Sequence, residues 1–302
     1  MLFLLLNCRL LCICLAFLLP HVECNFLELQ RSKRIAEGIL VTQQEKLRTS
    51  VVSLRSRSPQ AYFGDNHFCS GCLLNDMFII TSARCVTHPS KIQLRPREIV
   101  IVAGTSIRLN HTVNTIQLVV TFSAVHVNFT MYNNNDIALL RTETVEQGNL
   151  FVNVLPSLVL PPPYGTHCTV MGWGRLFKDG PLASTLTMLD VELYTPEQCR
   201  QLIPQFGADM LCAGNLGEPN VVPVGPCPGD TGGPLFCNGS LTGIVSYTLG
   251  CAQRDFPSIY TNVHHHLDWI YEYLDRGGQP KLLHLQVHQL LLLLLLLLYC
   301  VV

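Results

Sequence analysis

The sequence predicts an all-β domain, built as a barrel or a sandwich, that lies between two apolar terminal segments. Short runs of β-branched and other apolar residues recur from residue 35 to about residue 263, and glycine, proline and asparagine separate them. Examples are residues 99–102, 116–120 and 243–247. Regularly spaced short strands of this kind are typical of antiparallel β architectures. Only residues 264–274 have the three- and four-residue apolar spacing of a helix.

The amino-terminal segment, residues 1–24, is predicted to be a secretory signal peptide. Its first 19 residues are almost entirely apolar, and this run is shorter than the ~20 residues that a spanning helix needs. A retained N-terminal anchor is the alternative. Residues 25–34 then form a propeptide-like segment that ends in RSKR, which predicts cleavage between Arg34 and Ile35 by a furin-like convertase. The alternative for this stretch is a solvated basic cluster.

The carboxyl-terminal segment predicts attachment to a membrane. Gly277 and Gly278 lie near the start of a spacer over residues 276–289, and residues 290–302 are apolar to the end of the chain. Small residues, a spacer and an apolar tail are the pattern of a GPI-attachment signal. The alternative is a transmembrane helix over residues 282–302, which would bury several polar side chains. Both readings place the domain in the secretory pathway, extracellular or at the outer leaflet of the cell surface.

Composition narrows the classes of function. The formal net charge is −1, and no long basic run indicates a nucleic-acid partner. Of the 14 cysteines, three lie in the apolar run of the first 19 residues and one in the apolar tail, and in an exported chain the other ten predict disulfides. Cys69 and Cys72 have the spacing of a zinc knuckle, but no second pair follows at a matching distance, so disulfide formation is favoured. We expect no metal and no cofactor.

Several motifs, in order, resemble the chymotrypsin/trypsin superfamily of serine proteases. The match extends from Ile35 to about residue 275, and it implies two six-stranded antiparallel β-barrels closed by a C-terminal helix. The matching stretches are RIAEG at 34–38, FCSGCL at 68–73, ITSARC at 80–85, NDIALL at 135–140, GWG at 172–174, MLCAG at 210–214, GDTGGP at 229–234 and IYTNV at 259–263.

The same resemblance implies a disulfide framework, because the cysteines fall at the positions that the family pairs. Cys72 stands where the family usually has serine. It is either a buried free thiol or a partner for Cys24. The implied pairs are Cys69–Cys85, Cys168–Cys237, Cys199–Cys212 and Cys227–Cys251.

The chain departs from the family at two of the three catalytic positions. Active members use serine as nucleophile, histidine as its base and aspartate to orient the histidine. Here Asp136 is kept, but Arg84 occupies the histidine position and Thr231 the serine position. A guanidinium stays protonated and cannot accept a proton. We expect Arg84 to pair with Asp136, and we expect His67 and His88 to lie on loops beside the first disulfide without reaching Thr231.

The resemblance also assigns positions of the oxyanion hole, the activation ion pair and the specificity pocket. Gly229 matches an oxyanion-hole residue, and Asp230 matches the carboxylate that pairs with the amino group freed at Ile35. The specificity pocket is predicted to be narrow, and without the acidic residue of trypsin. Its positions are Gly225, Thr248 and Ser258.

Two weaker features concern the surface. Three sequons predict N-glycosylation at Asn110, Asn128 and Asn238. The histidines at 264–266 could suggest a metal site, but adjacent helical residues point apart, which favours solvated side chains.

These observations predict an extracellular protease homologue that is not an enzyme and acts by binding a protein, as a decoy or cofactor for an active protease. The alternatives are a weak or altered endopeptidase that uses Thr231 and a structural cell-surface glycoprotein. The sequence names no partner; an active protease or its substrate is the expected class.

Overall fold

The chain folds into two antiparallel β-barrels, as the sequence predicts. The computed structural model describes residues 46–131, 134–143, 161–215, 225–247, 250–252, 256–275 and 277. In these residues the first barrel closes in the order β1-β2-β3-β6-β5-β4 and the second in the order β10-β11-β12-β9-β8-β7. The first six strands are β1 (Val51–Ser56), β2 (His67–Leu73), β3 (Phe78–Thr81), β4 (Ile99–Ala103), β5 (Ile116–Val125) and β6 (Ala138–Thr142). The next six are β7 (His167–Gly172), β8 (Thr187–Leu193), β9 (Met210–Gly214), β10 (Pro234–Cys237), β11 (Ser240–Tyr247) and β12 (Ser258–Asn262).

The strands form where the sequence alternates or concentrates apolar residues. In β8 every second side chain is buried, from Thr187 to Leu193, while Asp190 and Glu192 are exposed. This period of two places one face of the strand in the barrel core and the other in solvent. The three runs named above fall in β4, β5 and β11, which confirms the sequence prediction for them.

Each barrel has its own apolar core, and a third cluster joins the two barrels. The first core includes Leu54, Ile79 and Ile101, and the second includes Val191 and Tyr260. The joining cluster contains Phe78 and Leu139 from the first barrel, Phe236 and Ile244 from the second, and Ile270 of the C-terminal helix. Burial of this shared cluster holds the two barrels against each other.

Two short α-helices accompany the barrels in the part of the chain that the structure describes. Helix α1 (Pro196–Leu202) begins with a capping box, in which Thr195 and Gln198 bond to each other's backbone N–H groups, and Pro196 is its first residue. The predicted helix over 264–274 is divided, because His264–His266 form a 3-10 turn and α2 spans Leu267–Asp275. None of the helices in the described segments is long and apolar enough to cross a membrane.

The described residues form four disulfides, and they are the four that the resemblance implies. Cys72 is in none of them and is a fully buried thiol; its hydroxyl neighbour is Ser50, with 3.6 Å between Sγ and Oγ. Burial raises the pKa of Cys72 to about 12, so the thiol is unreactive at neutral pH. Cys24 lies outside the described residues. The bridges are Cys69–Cys85, Cys168–Cys237, Cys199–Cys212 and Cys227–Cys251.

Two histidines differ from the sequence prediction. His67 is not on a loop: it is the first residue of β2 and is buried. His266 is not solvated, because the 3-10 turn directs its ring inward, where Nδ1 lies 2.8 Å from Asn262 O and Nε2 lies 3.1 Å from Asn135 Oδ1. His88 is exposed on a loop, as expected. In the described part of the chain, no group of three or more potential ligands is placed to hold a metal ion.

Candidate active-site cleft

The three altered or retained catalytic positions converge between the barrels. Arg84 lies in a 3-10 turn (Ala83–Val86) after β3, and Asp136 lies two residues before β6, both in the first barrel. Thr231 lies three residues before β10 in the second barrel. The backbone N–H of Ser70 donates to Thr231 O at 2.8 Å, so the loop that carries Thr231 is attached directly to β2.

Asp136 is a fully buried carboxylate that accepts four hydrogen bonds. Oδ1 accepts from Ser82 Oγ at 2.7 Å and from the backbone N–H of Arg84 at 3.0 Å. Oδ2 accepts from Arg84 Nε at 2.7 Å and from Ser246 Oγ at 2.6 Å. A buried carboxylate needs such compensation for the water that it has lost. The ion pair expected between Arg84 and Asp136 is therefore present, with two serine hydroxyls that the sequence did not indicate.

Arg84 is a fixed cation at the edge of the cleft. Its side chain is 22% exposed, whereas that of Asp136 is not exposed. The guanidinium carbon lies 5.6 Å from the centre of the Tyr247 ring, a separation that permits a cation–π contact. Because a guanidinium has five N–H donors and no acceptor, this group cannot remove a proton from the Thr231 hydroxyl.

His67 does not replace the missing base. Ser53 Oγ lies 2.8 Å from Nδ1, and Nε2 lies 3.1 Å from the carbonyl oxygen of Gly229. The carbonyl can only accept, so Nε2 carries the proton and Nδ1 accepts from Ser53. Burial lowers the pKa of His67 to about 3. Both ring nitrogens are therefore occupied, and the ring stays neutral at physiological pH.

The predicted oxyanion hole consists of the peptide groups 228–229 and 230–231, and the carbonyl oxygen of each accepts a backbone hydrogen bond. Pro228 O accepts from the backbone N–H of Arg175 at 2.9 Å, and Asp230 O accepts from that of Gly233 at 2.8 Å. In a trans peptide the N–H points opposite to the C=O. The N–H groups of Gly229 and Thr231 are consequently turned away from these partners, and within the described residues neither has an acceptor.

Gly229 is required at its position. Its φ is +103°, a backbone region that disfavours side chains, and an added Cβ would lie 2.7 Å from Leu182 Cδ2. Its carbonyl oxygen accepts from Ser70 Oγ at 3.0 Å as well as from His67. The geometry of the hole is therefore maintained by contacts with the first barrel.

Asp230 is buried beside this loop and has only backbone donors among the described residues. Oδ1 accepts from Gly174 N at 2.7 Å and Oδ2 from Cys227 N at 2.8 Å. Burial raises the pKa of Asp230 to about 7. A Cβ on Gly174 would lie 2.1 Å from Oδ2, so this glycine leaves room for the carboxylate. Ile35 and Arg34 lie outside the described residues, and the predicted pairing of Ile35 with Asp230 stays a prediction.

At the predicted specificity pocket, Gly225 and Ser258 lie close together. A Cβ on Gly225 would lie 3.2 Å from Ser258 Oγ and 3.4 Å from Ala252 Cα. Ser258 is buried. Neither Gly225 nor Ser258 contributes an acidic side chain to this pocket. Thr248 lies outside the described residues.

The remaining predicted sites are at the surface or outside the described residues. The three sequon asparagines, Asn110, Asn128 and Asn238, are exposed, and their glycosylation stays a prediction. Gly277 is in a turn after α2. The signal segment, the propeptide-like segment, Gly278 and the apolar tail are outside the described residues.

The comparison with known proteins agrees with the fold and the motif positions. A family model described as Trypsin matches residues 41–270. The chain belongs to the trypsin family. It is 31% identical over 213 residues to Putative trypsin-6 of Homo sapiens, across 68% of this chain and 79% of that protein. It is 33% identical over 207 residues to Trypsin of Xenopus laevis, across 68% and 80% of the two chains. With Anionic trypsin of Canis lupus familiaris it shares 33% identity over 214 residues, across 68% and 78%.

Proposed function

We propose that this trypsin-family protein is not a protease but an extracellular binding protein, which retains the cleft of the family and lacks its catalytic activity. The observation that supports this most strongly is the position of Arg84, whose Nε occupies one oxygen of Asp136 at 2.7 Å. In an active member, a neutral imidazole must stand there and accept the nucleophile's proton. A permanent cation in that place removes general-base catalysis at any physiological pH.

Thr231 is a second reason to expect no proteolytic activity. A threonine hydroxyl can act as a nucleophile only when a base activates it. The described residues provide none: both nitrogens of His67 are engaged, and His88 is an exposed loop residue. The alternative, a slow endopeptidase that uses Thr231, therefore lacks a proton acceptor among the described residues.

The cleft nonetheless retains features that a purely structural glycoprotein would not need. The N–H groups of Gly229 and Thr231 have no acceptor among the described residues, and Gly229 has a φ of +103°. We infer that selection for binding, in a decoy or cofactor for an active protease, accounts for this better than a bare scaffold. The exported, disulfide-bonded domain would act in the secretory pathway or at the outer leaflet, held by a GPI anchor.

Restoring both catalytic groups tests the proposal. The double variant Arg84→His/Thr231→Ser, cleaved after Arg34, should hydrolyse small-residue ester and peptide substrates. Each single variant should stay within about tenfold of the wild type, because nucleophile and base act as a unit. The matched control is Arg84→His/Thr231→Ala, which has the base without a nucleophile. Turnover by the wild-type protein itself would overturn the proposal.

A further inference from the structure

We propose that a pocket on the first barrel, separate from the cleft, binds a tetrahedral oxyanion, the sulfate or phosphate group of an ester. The pocket has a volume of about 220 Å³ and lies between the turn before β1 and the loop that follows β4. None of the cleft residues described above lines it, so the site goes beyond the proposed function and does not depend on catalytic silence. Its lining includes Arg48, Gly104, Thr105, Ser106, Thr112 and Asn114.

Arg48 is a cation without a counter-ion in the part of the chain that the structure describes. It lies in a 3-10 turn (Lys46–Ser50) and is half-buried. Among the described residues its guanidinium makes no hydrogen bond and no ion pair, and no aspartate or glutamate is among the described residues that line the pocket. A guanidinium that is partly withdrawn from water is stabilised by an anion, and its planar set of donors fits the oxygens of a sulfate or phosphate group.

Two uncharged donors line the same pocket. They are the hydroxyl of Ser106 and the side-chain amide of Asn114, and neither side chain makes a hydrogen bond within the described segments. Together with the guanidinium of Arg48 they can donate about eight hydrogen bonds. These donors come from three separate points of the chain. A carboxylate has two oxygens in one plane, whereas sulfate and phosphate groups direct their oxygens to several sides, so the distribution of donors favours a tetrahedral ion.

The loop that carries Ser106 and Asn114 is held in place by its own contacts. Gly104 begins the loop with a φ of +74°, and an added Cβ there would collide with Asn114 O. Asn114 N donates to Thr112 Oγ1 at 3.3 Å, and Ser106 O accepts from Trp173 Nε1 at 3.0 Å. Donors that are already positioned lose little conformational freedom when a ligand binds, which increases the affinity.

The pocket opens to solvent, which allows the ion to be part of a larger molecule. Of its lining residues, Ile107 and Asn114 are exposed, whereas Arg48 and Ser106 are half-buried. An ester group can therefore enter toward Arg48 while the molecule that carries it stays outside. Ile107, which is 43% exposed, offers that molecule an apolar surface, and the ring of a sulfated or phosphorylated sugar can pack against such a surface.

Calorimetric titration of the full-length protein at constant ionic strength tests this. The first probes are sodium sulfate, sodium phosphate and sodium acetate, and the next are glucose 6-sulfate and glucose 6-phosphate. We expect saturable binding of sulfate and phosphate with a Kd on the order of millimolar, and binding of acetate at least about fivefold weaker, because acetate leaves one of the donors unpaired. Tighter binding of glucose 6-sulfate than of glucose 6-phosphate would assign the ligand to sulfated molecules, and the reverse order would assign it to phosphorylated ones; both orders support the site.

Two variants attribute the binding to the pocket, and a third is the control. Arg48→Gln removes the charge and should weaken sulfate binding at least about tenfold, and Ser106→Ala should weaken it by about fivefold, since a charged hydrogen bond contributes more than a neutral one. Arg97→Gln removes the same charge from an exposed position in the 3-10 turn before β4 and should leave the affinity unchanged. Thermal melts check that all three variants are folded.

Three results would contradict the inference. The absence of saturable binding of sulfate or phosphate up to about 50 mM would overturn it. Equal weakening by Arg48→Gln and Arg97→Gln would overturn it as well, because it would indicate a general effect of charge. Acetate that binds as tightly as sulfate would overturn the assignment to a tetrahedral ion. None of these results concerns turnover at Thr231, so each can be distinguished from a failure of the proposed function.

Discussion

Cleavage after Arg34 should abolish a pH-dependent loss of stability that originates at Asp230. In the uncleaved chain the described residues supply this carboxylate with two backbone donors and no cation, and burial raises its pKa from 3.8 to about 7. The unfolded chain releases the proton near pH 4, while the folded protein holds it to about pH 7. The unfolding free energy therefore falls as pH rises through this window, by about 4 kcal/mol in total.

An amino group freed at Ile35 would remove this fall in stability if it pairs with Asp230. The carboxylate would then be ionised in the folded state as well, and the downward slope would disappear. Urea denaturation at a series of pH values, on cleaved and uncleaved protein, measures the difference. The two forms should have equal stability near pH 4 and diverge toward pH 7, with the cleaved form more stable.

His67 and His266 titrate in the opposite sense and must be separated from this effect. Burial lowers their pKa values to about 3 and about 4, so they make stability rise with pH up to about 6.5. Their contribution is the same in both forms and cancels in the difference. Asp230→Asn is the control and should give both forms the same pH dependence. Identical wild-type curves, with Ile35 shown by sequencing to be the new N-terminus, would refute the pairing.

Three further outcomes follow from the structure and the sequence. Arg84→Ala should lower the free energy of unfolding, measured by urea denaturation, by about 1.5–3 kcal/mol, since one charged hydrogen bond to Asp136 is lost while its other three donors remain. Arg84→His should lower it less. Equal stability of the wild type and both variants would show that the ion pair contributes nothing. Phosphatidylinositol-specific phospholipase C should release the protein from intact cells, whereas retention with an epitope still present at Val302 would indicate a spanning helix. Peptide N-glycosidase should reduce the apparent mass of the secreted protein, and each single change of a sequon asparagine to glutamine should remove part of that reduction; an unchanged mass would refute glycosylation.

The sequence was sufficient for the fold because the motifs span both barrels in order. Strands such as β4 and β11 are short apolar runs between turn residues, and the pattern of such runs needs no tertiary information. The Arg84–Asp136 pair could also be anticipated, because a buried carboxylate requires a partner and the resemblance put the arginine beside it.

Other parts of the site depend on contacts between residues distant in sequence. Ser82 and Ser246 both donate to Asp136, but they are 164 positions apart in the chain and nothing local marks either as a ligand of a carboxylate. His67 is predicted on a loop beside the first disulfide, but it begins β2, where it contacts Ser53 on a neighbouring strand and Gly229 in the other barrel.

Two buried arginines likewise could not be predicted from the sequence. Arg108 donates through Nε to Ala183 O at 3.0 Å and through Nη1 to Gly64 O, and its own carbonyl accepts from Arg55 at 2.9 Å. Both side chains are at least nine-tenths buried and help to hold three loops together beside the cleft. In the sequence each is an ordinary surface-type residue, and only the folded chain shows that it bonds to backbone carbonyls.

Labelling of the active site by a fluorophosphonate, read by intact-mass spectrometry, tests catalytic silence directly. The wild-type protein, cleaved after Arg34, should gain no adduct, because Arg84 cannot activate the Thr231 hydroxyl. The double variant Arg84→His/Thr231→Ser, treated in parallel, should be labelled at position 231 and shows that the reagent reaches the cleft. A stoichiometric adduct on Thr231 of the wild type would contradict the claim that this trypsin-family protein is catalytically silent.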